Sequence, residues 1–173
     1  MDLFLLGLSL MKDLFFAIVG AWIGAWLGIR WARREANEQE RVRKERIKAQ
    51  LLSALEFNLK QAEQALDALS KGGQPNFPLD AIKLNALVTD SYGIVSNELW
   101  KDIEWGSYQF QHLHDKLTIL NTAFLVMSLS NSQQAVANSP LIIAHRTSLE
   151  KHAKIITDGT PILIERIKGE IGH

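Results

Sequence analysis

Residues 14–48 read LFFAIVGAWIGAWLGIRWARREANEQERVRKERIK, and two stretches of opposite character meet at Arg30. The first, 14–29, is sixteen residues without a charged or strongly polar side chain. A bilayer-crossing helix needs about 17–25 residues. Trp31 and the stem of Arg30 supply the remainder, because an amphipathic ring and a snorkelling arginine both suit the headgroup level. A transmembrane helix over 14–31 is the expectation. Lys12 and Asp13 cut it off from the apolar residues upstream, so 1–11 reads as an interfacial segment at the membrane edge. A cleaved signal peptide would carry a basic stretch before the apolar run and a small-residue cleavage site after it. Here the charge before the run is net negative, and arginines follow it directly.

The second stretch, 30–48, has eight basic and four acidic residues, with no glycine or proline. Strong helix formers fill it, and Arg34–Glu38, Glu40–Lys44 and Arg41–Glu45 are spaced for pairing one turn apart. A helix polar all round is solvent-exposed, so 32–48 reads as a charged stalk that continues the membrane helix. Only Lys12 precedes the span, whereas Arg30, Arg33, Arg34, Arg41, Arg43, Lys44, Arg46 and Lys48 follow it. The positive-inside rule then places the N-terminus outside and the rest in the cytoplasm, as a single-pass protein. The first arginines also suit anionic lipid, at about 1 kcal/mol each near the surface. The interleaved glutamates, and 19 basic against 19 acidic residues overall, argue against bulk DNA or RNA binding.

Within the span Ala17, Ala21 and Ala25 recur every four residues, as do Gly20, Gly24 and Gly28. On a helix the two rows adjoin and make one smooth face. Small residues let helix backbones approach closely in lipid, where packing drives association. A homo-oligomer packed through these six residues in the lipid bilayer is expected.

Residues 49–173 show the three-and-four spacing of amphipathic helices and no useful stretch of period two. The fold class expected is therefore all-α: membrane helix, stalk, then an antiparallel bundle of about four helices. The first bundle helix uses Ile47, Leu51, Leu55, Leu59 (or Asn58), Ala62, Leu66 and Leu69, and ends at Gly72-Gly73. A second fits Leu79 to about Ser91, with Pro78 in its first turn. The third, capped by Ser96, runs from Asn97 to about Leu129 on Leu99, Ile103, Gly106, Phe110, Leu113, Leu117, Leu120, Phe124 and Met127. Residues 130–139 read as a polar loop. The fourth starts at Pro140 on Leu141, His145, Leu149, His152, Ile156 and Leu163, with a kink or restart at Asp158-Gly159-Thr160-Pro161.

Chemistry-bearing patterns are sparse. Zero cysteines exclude disulfides, thiolate zinc sites and a cysteine nucleophile. His112 and His114 lie about 200° apart on a helix and cannot both face inward, and no recognised zinc spacing occurs. There is no Gly-x-Ser-x-Gly and no phosphate-loop motif. No enzymatic activity, metal or cofactor is expected. Between Glu56 and Asn58, buried hydrogen bonding by one is expected rather than catalysis. Trp100, Trp105, Tyr108 and Phe110 cluster in the third helix, with Trp105 and Tyr108 off its inner stripe. The candidates for holding a small anionic ligand are Lys101, Trp105, Arg146, Lys151 and Lys154, the basic and aromatic side chains nearest inner-face positions.

Over its length, one N-terminal span followed by a helical body beginning Leu-Leu-Ser-Ala-Leu-Glu-Phe-Asn-Leu (51–59), the chain resembles small bacterial inner-membrane proteins. Some of that build are effectors of antiviral systems: cyclic-oligoadenylate-activated membrane effectors of type III CRISPR systems, and retron-linked membrane toxins. The resemblance is architectural and implies an oligomer whose body senses a signal, such as a cyclic oligonucleotide, and whose spans disturb the membrane. The other reading is a membrane-anchored scaffold that holds a cytoplasmic partner.

Overall fold

A computed structural model describes the backbone of residues 2–73, 75, 78–129 and 133–171, and the side chains of 15–73, 75, 78–129 and 135–170. It is all-α: α1 (Asp2–Ser70), α2 (Ala81–Asp90), α3 (Asn97–Ser128), α4 (Gln133–Ala137) and α5 (Pro140–Ile171), with no strand among the described residues. Two compact units divide the chain, Met1–Arg43 and Lys44–His173. The interfacial reading of 1–11 concerns side chains outside those described.

The first unit is helix throughout its described backbone. One window in it is long and apolar enough to cross a membrane, with mean hydropathy 1.4 and none of it buried by the protein. The eighteen residues 14–31 rise about 27 Å at 1.5 Å each, against a hydrocarbon core of about 30 Å. At its end the Arg30 guanidinium lies 5.3 Å above the Trp26 ring. This cation–π contact keeps the charge against an apolar surface. Farther on, Glu38 accepts from Arg41 Nη2 at 2.6 Å, and that neighbour holds its carboxyl below the usual range.

The second unit is a bundle built from the 44–70 part of α1 with α2, α3 and α5. Its core is one apolar cluster centred on Leu51, Leu55, Leu84, Ile103, Phe110, Leu113, Leu149 and Ile167. Cross-links between helix ends give the directions. Lys48 Nζ donates to the Glu170 carbonyl (3.2 Å) and Arg146 Nη2 to the Gly73 carbonyl (2.6 Å), so this part of α1 and α5 run antiparallel. Asp102 pairs with Arg166, and Lys116 Nζ donates to Ser148 Oγ (3.3 Å), so α3 and α5 do too. Trp100 Nε1 donates to the Val88 carbonyl (3.0 Å) and Ser107 bonds Asn85, which sets α2 antiparallel to α3.

Local chemistry explains the boundaries. Gly72 has φ +74°, and Gly72 N–H and Gly73 N–H donate to the carbonyls of Leu69 and Ala68, so the end of α1 is a Schellman cap. Ser96 Oγ accepts from Leu99 N–H at the start of α3, and the Glu170 carboxylate accepts from Ser96 Oγ at 2.5 Å. In α3 the whole expected row from Leu99 to Leu120 is buried, with Phe124 and Met127 packed on the core's edge.

Four expectations are corrected. α2 begins two residues later than Leu79, with Asp80 as its cap. The buried Asn58 holds the Asp80 peptide there: Asp80 N–H donates to Asn58 Oδ1 (2.8 Å), and Asn58 Nδ2 to the carbonyls of Ala54 (2.9 Å) and Asp80 (3.4 Å). Within the expected loop 130–139 lies α4, where buried Val136 supplies the tertiary packing that so short a helix needs; residues 130–132 lie outside those described. α5 does not restart at Pro161 but continues as helix through it, with Thr160, Leu163, Ile164 and Ile167 buried on both sides. Finally, the inner stripe of α5 starts at buried Ile142, while Leu141 is exposed.

Candidate functional site: a smooth helix face and an α3–α5 cleft

In the first unit the side chains of Ala17, Ala21 and Ala25 and the bare Cα positions of Gly20, Gly24 and Gly28 are all exposed. A Cβ added at any of the three glycines would meet nothing within 4 Å. No packing within the protein therefore accounts for glycine there. Glycine in a helix interior is destabilising by about 0.5–1 kcal/mol relative to alanine, so three in a row carry a local cost with no return inside the protomer.

In the second unit a cleft of about 180 Å³ opens between α3 and α5. Trp105 forms one wall, Ile155 and Ile162 the other, and Gly106, Ile156 and Leu163 the floor. Gly106 shapes it: a Cβ there would stand 3.1 Å from Leu163 Cδ2, so only glycine lets the two helices come this near without displacing leucine. The Asp102–Arg166 ion pair closes the end of the cleft, with both side chains half exposed. Such a pair in high dielectric contributes about 0–1 kcal/mol and is open to exchange.

Beyond the cleft, the ring of His112 stands 5.2 Å from that of His152 and 5.7 Å from that of Tyr108. His152 Nε2 lies 3.1 Å from the Gln109 carbonyl, so it carries the proton and donates. Burial pushes His152 below the usual histidine range, with Lys116 and His112 pushing the same way and the Gln109 bond opposing. No group of three or more metal-binding side chains converges among the described residues. The depressed value has a consequence for stability. Above about pH 6.5, the ordinary histidine value, His152 is neutral folded and unfolded alike. As pH falls through that value the unfolded chain takes up the proton first, so stability should decline from pH 7.5 to 5.5. His152→Gln keeps a donor for Gln109 and should flatten the decline. Thermal unfolding at the two pH values checks this; equal slopes for wild type and variant would refute it.

The five ligand candidates do not form one site, although Lys101 and Trp105 lie one turn apart on α3. Trp105 lines the cleft. Arg146 is engaged at the other end of the bundle, where its guanidinium donates to the Gly73 carbonyl just past the end of α1. Seventeen residues of α5 separate Arg146 from Leu163, about 25 Å of rise. Lys101, Lys151 and Lys154 are exposed. The aromatic cluster divides as well: Phe110 is buried and Trp100 packs edge-on against Tyr92, whereas Trp105 and Tyr108 face outward. Ile155, Ile162 and Arg166 were not singled out by sequence. The signal for the two isoleucines was the row of every seventh residue, Leu141, Ser148, Ile155 and Ile162, one position ahead of the inner stripe. No protein family, curated protein or solved structure matches the chain.

Proposed function

We propose that this protein is an oligomeric membrane-anchored effector, held in a bacterial inner membrane by residues 14–31 with the helical body in the cytoplasm. The observation that carries the reading is the open small-residue face: Gly20, Gly24 and Gly28 have no neighbour within 4 Å. Such a face finds its packing partner in another helix, and within the bilayer an identical span is always at hand. The eight basic residues of 30–48 support the orientation. In this reading the body responds to a cytoplasmic signal, a small anionic ligand of the cyclic-oligonucleotide kind, and the spans repack and disturb the membrane as an antiviral response. The ligand biases an equilibrium between two arrangements by binding one of them better.

Gly24→Leu tests this. It places a four-carbon side chain at the centre of the face while raising hydrophobicity, so insertion should persist and close approach should not. Induced expression of the wild type should depolarise the membrane. Gly24→Leu should abolish that effect at unchanged protein level, and Ile18→Leu should leave it intact. The scaffold reading requires that no variant, wild type included, changes the potential.

A further inference from the structure

The outward side of the α3–α5 pair carries two rows of residues in heptad spacing. On α3 these are Trp105, His112, Ile119 and Val126, and on α5 Leu141, Ser148, Ile155 and Ile162. Each row has three apolar members and one polar, and the six apolar side chains are half to two-thirds exposed. Tyr108, 61% exposed, widens the first row. Neither row belongs to the core, which uses Phe110 and Leu117 on α3 and Leu149, Ile156 and Leu163 on α5. We infer that this face is a homotypic interface, covered by the same face of a second copy of the chain.

Area is the first argument. Seven side chains at about 100 Å² each offer about 700 Å², beyond the ~300–600 Å² of the largest patch on a typical monomer. One partner in a specific stable interface contributes about 800 Å². Geometry is the second. Residues seven apart drift only about 20° per heptad around a straight helix, so each row makes a continuous ridge along its helix. A two-fold contact places the same face on both sides of the joint, so the apolar rows of one copy meet those of the other. Charge is the third. Asp102 is paired with Arg166, Lys116 bonds Ser148 and Asp115 accepts from Gln111, all within one protomer. Closing the face therefore leaves each of these groups a hydrogen-bond partner and the Asp102–Arg166 charges compensated. The ~180 Å³ cleft between Trp105 and Ile162 would lie inside the joint. The inference deepens the function proposed above and rests on it for the tether: spans that associate hold two bodies at the high effective concentration that a modest interface needs.

The chain has no cysteine, so Ser148→Cys in the full-length protein gives a single thiol on the face, and Glu63→Cys gives one on the exposed side of α1. In isolated membranes a bifunctional maleimide should join Ser148→Cys into a homodimer and leave Glu63→Cys monomeric. Adding Ile155→Glu or Ile162→Lys to Ser148→Cys should cut the dimer about tenfold. Both sites are solvent-exposed, so helicity by circular dichroism should be unchanged. A Ser148→Cys adduct with a different protein, no dimer at all, or a dimer indifferent to both charged substitutions would each overturn the inference. The span reading fails separately: Gly24→Leu that leaves crosslinking between spans unchanged removes it, whatever the yield at Ser148→Cys.

Discussion

Phe110→Ala should destabilise the helical body by about 3–5 kcal/mol, the range for deleting a buried phenyl ring. Phe110 is fully buried at the middle of α3 and is the largest fully buried side chain of the bundle. Removing its ring forfeits the transfer free energy and leaves a cavity among residues from several helices, which can only partly collapse. Two positions away, Tyr108→Ala should change stability by less than about 0.5 kcal/mol, because that ring lies largely in solvent. Urea unfolding of the full-length protein in detergent, followed by circular dichroism, measures both. A loss below about 1 kcal/mol at Phe110 would mean that α3 does not use the face assigned to it.

Asn58→Asp should cost nearly as much, about 3–5 kcal/mol at neutral pH, the range for a buried charge left without compensation. The substitution is almost isosteric, so its effect is electrostatic. Asn58 Nδ2 donates to the carbonyls of Ala54 and Asp80, and a carboxylate would face both oxygens with nothing to donate. The carboxyl would then ionise less readily folded than unfolded. Its penalty is small below the ordinary aspartate value of about 3.9 and grows as pH rises through and above it. Asn58→Leu leaves the Asp80 N–H without its acceptor, at about 1–3 kcal/mol, and its cost should not vary with pH. Identical pH dependence for the two variants would refute the electrostatic account. A later or frayed start of α2 should accompany both, since Asn58 holds the residue that caps it.

Much of this architecture was legible in the sequence, for reasons visible at particular residues. α3 could be read nearly to the residue because its inner apolar positions advance without a gap in steps of three and four from Leu99 to Met127, and because Ser96 announces its start. The Gly72-Gly73 stop was equally plain, since only glycine takes the positive φ of that cap without strain. The small-residue face was legible because its meaning lies in the spacing of residues along one helix. The buried hydrogen bonding expected of Glu56 or Asn58 resolved onto Asn58, which a list of residue types could not do without knowing that the chain before α2 passes beside it.

What the sequence by itself determined, then, is whatever depends on neighbours one to four residues apart: helical class, the caps at Gly72 and Ser96, the apolar window at the N-terminus and the charge step that follows it. Tertiary structure decided the rest. α5 carries two apolar rows one residue apart, Leu141–Ile155–Ile162 and Ile142–Leu149–Ile156–Leu163. A rotation of about 100° exchanges them; periodicity picked out Leu149, Ile156 and Leu163 as the inner row but put Leu141 in the place of Ile142. Packing against α3 made the choice: Gly106 admits Leu163 to the core and turns Ile155 and Ile162 outward. The same packing carried α5 through Pro161 and drew Val136 into a short helix, because burial on both flanks outweighs one missing backbone hydrogen bond. The cleft exists only between helices far apart in sequence, so no local pattern could have shown it.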